Sequence, residues 1–244
     1  MPLQGELDYY RNMDPLAFAH AANKPWSDEF CGRYLMEIGA LAELMPRQGR
    51  LLDLGCGTGW TSFLFAAMGY EVVGQDVAPE AIAFAQKTAL ERPALKASFV
   101  VSDYESLRFA SEFDVAVFFD SLHHAVNETD AVASAYRALR PGGVLITSEP
   151  GRGHARQSRQ EVERFGVTER DMQPSRVIRA GRAAGFSSFE VYPHATHLGI
   201  ALYGRPRRRP LIGRLLRLPG VRALAACFDI LLYKRADGIV LMRK

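Results

Sequence analysis

Through the middle of the chain, short apolar runs alternate with stretches whose apolar residues recur every three or four positions. The first kind predicts buried strands and the second amphipathic helices, because side chains repeat every two residues along a strand and about every 3.6 along a helix. Arg50–Leu54 reads as a buried strand and Thr58–Met68 as the helix after it, ended by Gly69. Glu71–Gln75 is the next strand. Pro79 opens a helix running to about Leu90, since the first helical turn leaves its N–H groups unpaired and so tolerates proline. Ala97–Val101 and Phe113–Phe119 are two further strands. Asn127 caps a helix ending near Leu139, because its side chain can accept a backbone N–H. The turn Arg140-Pro141-Gly142-Gly143 leads into the strand Val144–Ser148.

Repeated strand–helix units imply an α/β fold of Rossmann-like form, a mostly parallel sheet with helices on both faces. Ligands of such sheets bind at the carboxyl ends of the strands, where the strand order reverses. The flanks read differently. From about Ser27, Phe30, Tyr34, Ile38 and Leu41 make a helical stripe, whereas Tyr9, Tyr10, Phe18, His20 and Trp26 show no clear period. After the core come helical stretches near Gln157–Phe165 and at Ser175–Ala184, then strands at Phe186–Tyr192 and Gly238–Met242. The expected organisation is an N-terminal helical lid (1–46), an α/β core (47–193), a basic insertion (194–237) and a final core strand (238–244).

Charge sharpens the last part of that picture. The net charge is only +3, but 205–235 holds eight Arg and one Lys against Asp229, so that segment is +8 and the remainder −5. A local patch of this kind suits an anionic small molecule or a peripheral membrane contact; nucleic-acid binding by the whole protein is not expected. A core-packed helix with snorkelling arginines accounts for it equally well. Cys31, Cys56 and Cys227 fit neither paired disulfides nor zinc spacing, and with no basic-then-apolar leader the chain reads as cytoplasmic.

The residues that carry chemistry begin at Asp53-Leu54-Gly55-Cys56-Gly57-Thr58-Gly59, a strand end, a glycine at every second position, and a helix start. Glycine lets the backbone approach a ligand, and the helix N-terminus offers free N–H groups to an anion. Asp76 closes the second strand, where a carboxylate can accept from two ribose hydroxyls; the plainer reading is a solvated turn residue before Pro79. Asp103 and Tyr104 follow the third strand, Asp120-Ser121-Leu122-His123-His124 the fourth, and Glu149 to His154 the fifth.

As a set, these residues resemble motif I and its companions in the class I S-adenosylmethionine (SAM)-dependent methyltransferases, over roughly the central 100 residues. The resemblance implies SAM as cofactor. Gly55, Cys56, Gly57 and Gly59 would border its amino-acid end, and Asp53 would orient that loop or reach the SAM amino group through water. Asp76 would take the ribose, Asp103 and the Tyr104 N–H the adenine, and Val77 and Tyr104 the walls of the adenine site. Asp120 would lie close to the sulfonium, with the acceptor beyond it.

His123, His124, His154 and Glu149 are the candidates for catalysis, since an unperturbed imidazole titrates near neutral pH. Adjacent residues seldom point the same way, so His123 and His124 are not both expected at the site. No metal is expected, because no carboxylate or cysteine sits at ligand spacing from them. The expected activity is methyl transfer to a small-molecule oxygen or nitrogen, of a sugar or lipid-linked metabolite, with carbon left open. Two other readings stay open: a nucleotide-dependent oxidoreductase, whose last two loop glycines are normally two residues apart rather than the one seen here, and a SAM-binding module without catalysis.

Overall fold

The computed structural model describes residues 2–203, 218, 220, 221, 223, 224, 226–228 and 237–244. Its strands are β1 (Arg50–Leu54), β2 (Glu71–Asp76), β3 (Ala97–Val101), β4 (Phe113–Phe119), β5 (Leu139–Glu149), β6 (Ser188–Tyr192) and β7 (Gly238–Arg243). They form one seven-stranded sheet in the order β3-β2-β1-β4-β5-β7-β6. The first five run parallel, and β7 lies antiparallel between β5 and β6. Strand order reverses at β1, whose neighbours are β2 and β4. The crevice at the carboxyl ends of β1 and β4 is therefore where the topology places a ligand.

Helices α1 (Pro2–Arg11), α2 (Pro15–Ala22) and α3 (Cys31–Leu44) precede the sheet. α4 (Trp60–Ala67), α5 (Pro79–Glu91) and α6 (Glu128–Ala138) join its parallel strands. α7 (His154–Gln157), α8 (Arg159–Phe165) and α9 (Pro174–Ala184) lie between β5 and β6, and α10 (Ala195–Tyr203) follows β6. Asn127 does cap α6, accepting from the Thr129 N–H, and Gly185 ends α9 in the left-handed conformation.

Two apolar layers sandwich the sheet, and alternation along each strand feeds both. Leu52, Leu54, Leu145, Val240 and Met242 pack on the α6–α9 side, while Leu51, Val144, Ile146, Ile239 and Leu241 pack on the side of α3 and α4. Phe113 breaks the alternation: it joins the layer opposite Val115 because the β4–β5 register slips between them. That slip explains a departure from the sequence reading. Arg140–Gly143 is not a turn ahead of the strand but part of β5, in which Leu139 pairs with Phe113 and Gly142, at φ +79°, donates to the Lys244 carbonyl.

The first 26 residues also differ from expectation, because they form two helices where no period was visible. Asp14 caps α2 through the Leu16 and Ala17 N–H groups, with Pro15 at the first helical position. α1 shows no single stripe because it packs on two sides. Tyr9 sits edge-on to Phe165 of α8, and Tyr10 edge-on to Phe18 of α2. Most of the basic segment, Arg207, Arg208 and Arg209 included, lies outside the described residues. Among those described, no helix is long and apolar enough to cross a membrane.

Candidate active site

At the carboxyl ends of β1 and β4 a cavity of about 490 Å³ opens under α1 and α2. Small-molecule sites typically occupy about 300–1,000 Å³. One wall is the loop after β1. Its Gly55 and Cys56 N–H groups donate to the Gln75 carbonyl, which holds the loop against β2. Gly57, at φ +52°, donates to Asp76 Oδ2 at 2.8 Å, and a Cβ there would sit 2.5 Å from the Tyr10 hydroxyl. A side chain at this position would be both strained and obstructed.

The structure separates the expected cofactor residues into two groups. Gly55, Cys56, Gly57, Asp76, Val77, Asp103, Tyr104 and Asp120 line the cavity. Asp53 and Gly59 do not. Asp53 is buried and accepts from the Thr61 and Ser62 hydroxyls, both at 2.6 Å, which ties β1 to the first turn of α4. Burial pushes its carboxyl up to about 6, against the lowering effect of the two hydroxyls. It lies behind the loop, off the cavity wall. Gly59, at φ +85°, starts α4 and lets Phe99 approach to where a Cβ would be 2.8 Å away.

Asp76 also accepts from the Ala78 N–H at 2.9 Å. Burial raises its pKa against the two N–H bonds from Ala78 and Gly57. Each of its oxygens keeps a lone pair free of these bonds, and the carboxyl borders the cavity, so the site fits a ribose diol. Asp103 lines the cavity and also accepts from the Ser106 N–H at 2.6 Å. Tyr104 packs edge-on to Phe118 and donates to the Ser121 carbonyl at 3.3 Å. Asp120 holds a left-handed backbone at φ +53°, a conformation Asp tolerates better than most residues. Together the glycine loop, the two carboxylates and the cavity volume suit an adenosyl ligand.

The other end of the cavity holds the histidines. A short 3₁₀ turn, Leu122–His124, turns both adjacent rings toward it, their centroids 4.1 Å apart, contrary to the expectation that they diverge. The ring of His154 stands 4.8 Å from that of His123. Glu149 faces away from the cavity: it accepts from the backbone N–H groups of Ser121, Leu122 and His123, and its Oε2 lies 2.8 Å from His123 Nδ1. An acceptor there fixes the proton on Nδ1 and leaves Nε2 to face outward. His124 Nδ1 lies 2.7 Å from the Thr168 carbonyl, with the same consequence for its ring.

Glu169 and Glu6, which the sequence reading passed over, complete this end. Glu169 Oε2 lies 2.5 Å from His154 Nε2 and 3.4 Å from His123 Nε2. Glu6 on α1 accepts from the Thr168 N–H at 2.7 Å and stands 3.4 Å from His124 Nδ1. Burial alone would lower His124; the Glu6 bond and the charges of Glu6, Glu169 and Asp120 overcome it and push its pKa up to about 9. His154 is raised, first by its bond to Glu169. Burial would raise Glu169, but its bond to His154 and the neighbouring rings hold it below the usual carboxylate range. No sequence signal pointed to Glu169, which sits in a polar loop far along the chain from His123. Also on the cavity wall, Tyr34, Trp60 and Phe119 form an edge-on aromatic group, with Lys24 Nζ 5.6 Å from the Tyr34 ring.

Comparison with known proteins agrees with this geometry. Residues 52–147 match the model of a family described as a methyltransferase domain. The putative methyltransferase YqeM of Bacillus subtilis (strain 168) is 37% identical over 108 residues, which cover 42% of this chain and 42% of that protein. A ubiquinone biosynthesis O-methyltransferase of Xanthomonas axonopodis pv. citri (strain 306) is 30% identical over 139 residues, 54% of this chain and 58% of that one. The chain spans about half the length of these curated relatives. Phosphoethanolamine N-methyltransferase 2 of Haemonchus contortus, solved in complex with S-adenosyl-L-methionine, has a TM-score of 0.67 at 19% identity, over 100% of this chain and 59% of that one. At that identity the likeness shows the fold. The matched segment contains the glycine loop, Asp76, Asp103 and the histidine pair, so these residues of the cavity lie in the stretch of the chain that is similar to a methyltransferase domain.

Proposed function

We propose that this protein methylates an oxygen or nitrogen atom of a small-molecule acceptor. The observation that carries this reading is one cavity lined both by a glycine loop with ribose-competent Asp76 and by a histidine–carboxylate cluster. Bound SAM supplies a methyl group on a sulfonium, a leaving group that needs no protonation. The protein's task is then alignment, exclusion of water, and disposal of the acceptor's proton. Asp76 takes the ribose hydroxyls, Asp103 and Tyr104 the adenine, and the 55–58 backbone the amino-acid end. The cover formed by α1 and α2 excludes water: Tyr10 and Ala21 both reach the loop, the latter through its carbonyl, which accepts from the Thr58 hydroxyl at 2.9 Å.

The histidine end favours an acceptor that gives up a proton on methylation, which O–H, N–H and acidic C–H groups all do. The likeness to O-methyltransferases of ubiquinone biosynthesis makes oxygen the first choice. The edge-on aromatic group beside the cavity suits a flat or apolar acceptor body, and Lys24 an acidic substituent on it. The +8 segment 205–235 would add to an attraction for anionic acceptors or membrane surfaces.

Turnover of methyl-labelled SAM in a metabolite extract, followed by identification of the labelled product, tests the reading. Label on an O–CH3 or N–CH3 of a small molecule supports it. SAM binding without transfer to any extract component would leave a SAM-binding module, and label appearing only in protein or nucleic acid would refute the small-molecule acceptor.

A further inference from the structure

The arrangement of ring nitrogens at the histidine end goes beyond what proton transfer requires. Among the described residues, His123, His124 and Glu169 offer ligand atoms that all lie within 4.8 Å of one another on the cavity wall. Each ring is held from behind by an acceptor. The Glu149 carboxylate takes His123 Nδ1 at 2.8 Å, and the Thr168 carbonyl takes His124 Nδ1 at 2.7 Å. Glu149 is itself fixed by three backbone N–H groups, and Glu169 by the 2.5 Å bond from His154. Histidines that ligate metals almost always donate their second N–H to a carboxylate or backbone carbonyl, and ligating carboxylates are in turn hydrogen-bonded. Both kinds of support are present, and they arise on separate elements: the end of β5, α7, and the loop that follows α8.

We propose that His123, His124 and Glu169 bind a divalent first-row cation, with Glu149, Thr168 and His154 as its supporting shell. Two imidazoles and one carboxylate make a donor set of nitrogen and oxygen suited to zinc, manganese, iron or cobalt rather than to magnesium or calcium, which take oxygen. Three protein ligands leave at least one coordination position open, and it faces the cavity that the acceptor enters. A cation there would hold an acceptor oxygen in place and lower its pKa, so that the oxygen's proton can leave to a neighbouring carboxylate or to solvent water before the methyl group arrives. Cation binding displaces ring protons, and the carboxylates that hold protons on these rings also draw a cation in. The role toward the acceptor rests on the methyl-transfer reading; the binding of the cation does not.

The test uses the full chain stripped with a chelator and titrated with Zn²⁺ by calorimetry, and with Co²⁺ followed by its visible absorption. One equivalent of Zn²⁺ and a set of Co²⁺ d–d bands shifted by nitrogen ligation are expected. Glu169→Gln and His123→Asn should each abolish the bands, while Glu149→Gln should weaken affinity about 10–100-fold. SAM binding retained by each variant shows that the fold survives. Absence of stoichiometric uptake by the native chain, or uptake unchanged in both Glu169→Gln and His123→Asn, overturns the site. If the stripped protein turns over SAM at the full rate in chelator, the cation's role toward the acceptor fails and methyl transfer stands. If cation binds as expected but no methyl is transferred to any acceptor, the site stands and the proposed function falls.

Discussion

The two ends of the cavity are built by different means. The cofactor end is backbone: strand ends of the parallel sheet, a loop pinned to Gln75, and a carboxylate, Asp76, that stitches that loop to the next helix. The histidine end is side chain on side chain, assembled from α1, the turn after β4, α7 and the loop after α8. A site made of sheet backbone tolerates little change in the chain that forms it. One made of side chains from several loops can be re-specified one residue at a time, which is why a shared cofactor end can serve many acceptors.

The largest effect should come from breaking the buried pair packed behind β5. Glu37 on α3 is buried with His194, 2.6 Å from its Nδ1, and also accepts from the Ser148 hydroxyl at 2.8 Å, one residue before Glu149. Removing one partner of a buried pair costs about 3–5 kcal/mol, so Glu37→Ala should lower unfolding stability by that order in a denaturant titration. The pH dependence has a definite sign. Burial would raise Glu37, but His194 and Ser148 hold its pKa below 4.5; burial would lower His194, but Glu37 holds its pKa above 6.5. The carboxylate's contribution is present above its unfolded pKa and lost as pH falls through the depressed folded value. The imidazole's contribution is full below its unfolded pKa and lost as pH rises through the raised one. The pair should therefore stabilise most between pH 4.5 and 6.5, and the gap between wild type and Glu37→Ala should narrow on either side.

Next in size is a change confined to the histidine end. His123→Gln should slow methyl transfer by about 100-fold or more, the range for losing a group that manages a proton in the transition state, with the SAM dissociation constant unchanged in calorimetry. An equal loss of SAM affinity would mean the ends are not separable. The smallest effect should come from the cover. Tyr10→Ala removes an edge-on contact to Phe18 and the hydroxyl against Gly57, and should speed SAM dissociation several-fold in stopped flow while the fold holds. Aromatic pairs of this kind contribute about 0.5–1.5 kcal/mol.

What the sequence disclosed follows the same division. The place of Gly55, Asp76 and Asp103 on the cavity wall was readable because each closes or follows a strand whose apolar run is itself visible, and strand ends are where this topology binds ligands. The helices at 2–22 were not, since Tyr9 and Tyr10 serve different neighbours and leave no stripe. Asp53 lies in the motif yet works from behind the loop, a distinction that only burial and its two hydroxyl partners make. Glu169 had no signal at all: its role comes from a loop folded back onto β4, and no local pattern encodes a contact 46 residues away in sequence. The pairing of His123 and His124 depends on a single 3₁₀ turn, which an expectation of alternating side chains does not allow for.

The proposed function requires Asp76 to hold SAM at the strand ends of the sheet. Calorimetric titration of SAM and of NADH into the wild type and Asp76→Ala tests it most directly. SAM should bind the wild type and NADH should not, and the substitution should weaken SAM by about 1.5–3 kcal/mol, the worth of hydrogen bonds to a charged group, with thermal unfolding little changed. An unaltered SAM dissociation constant in Asp76→Ala, or NADH binding more tightly than SAM, would contradict the account.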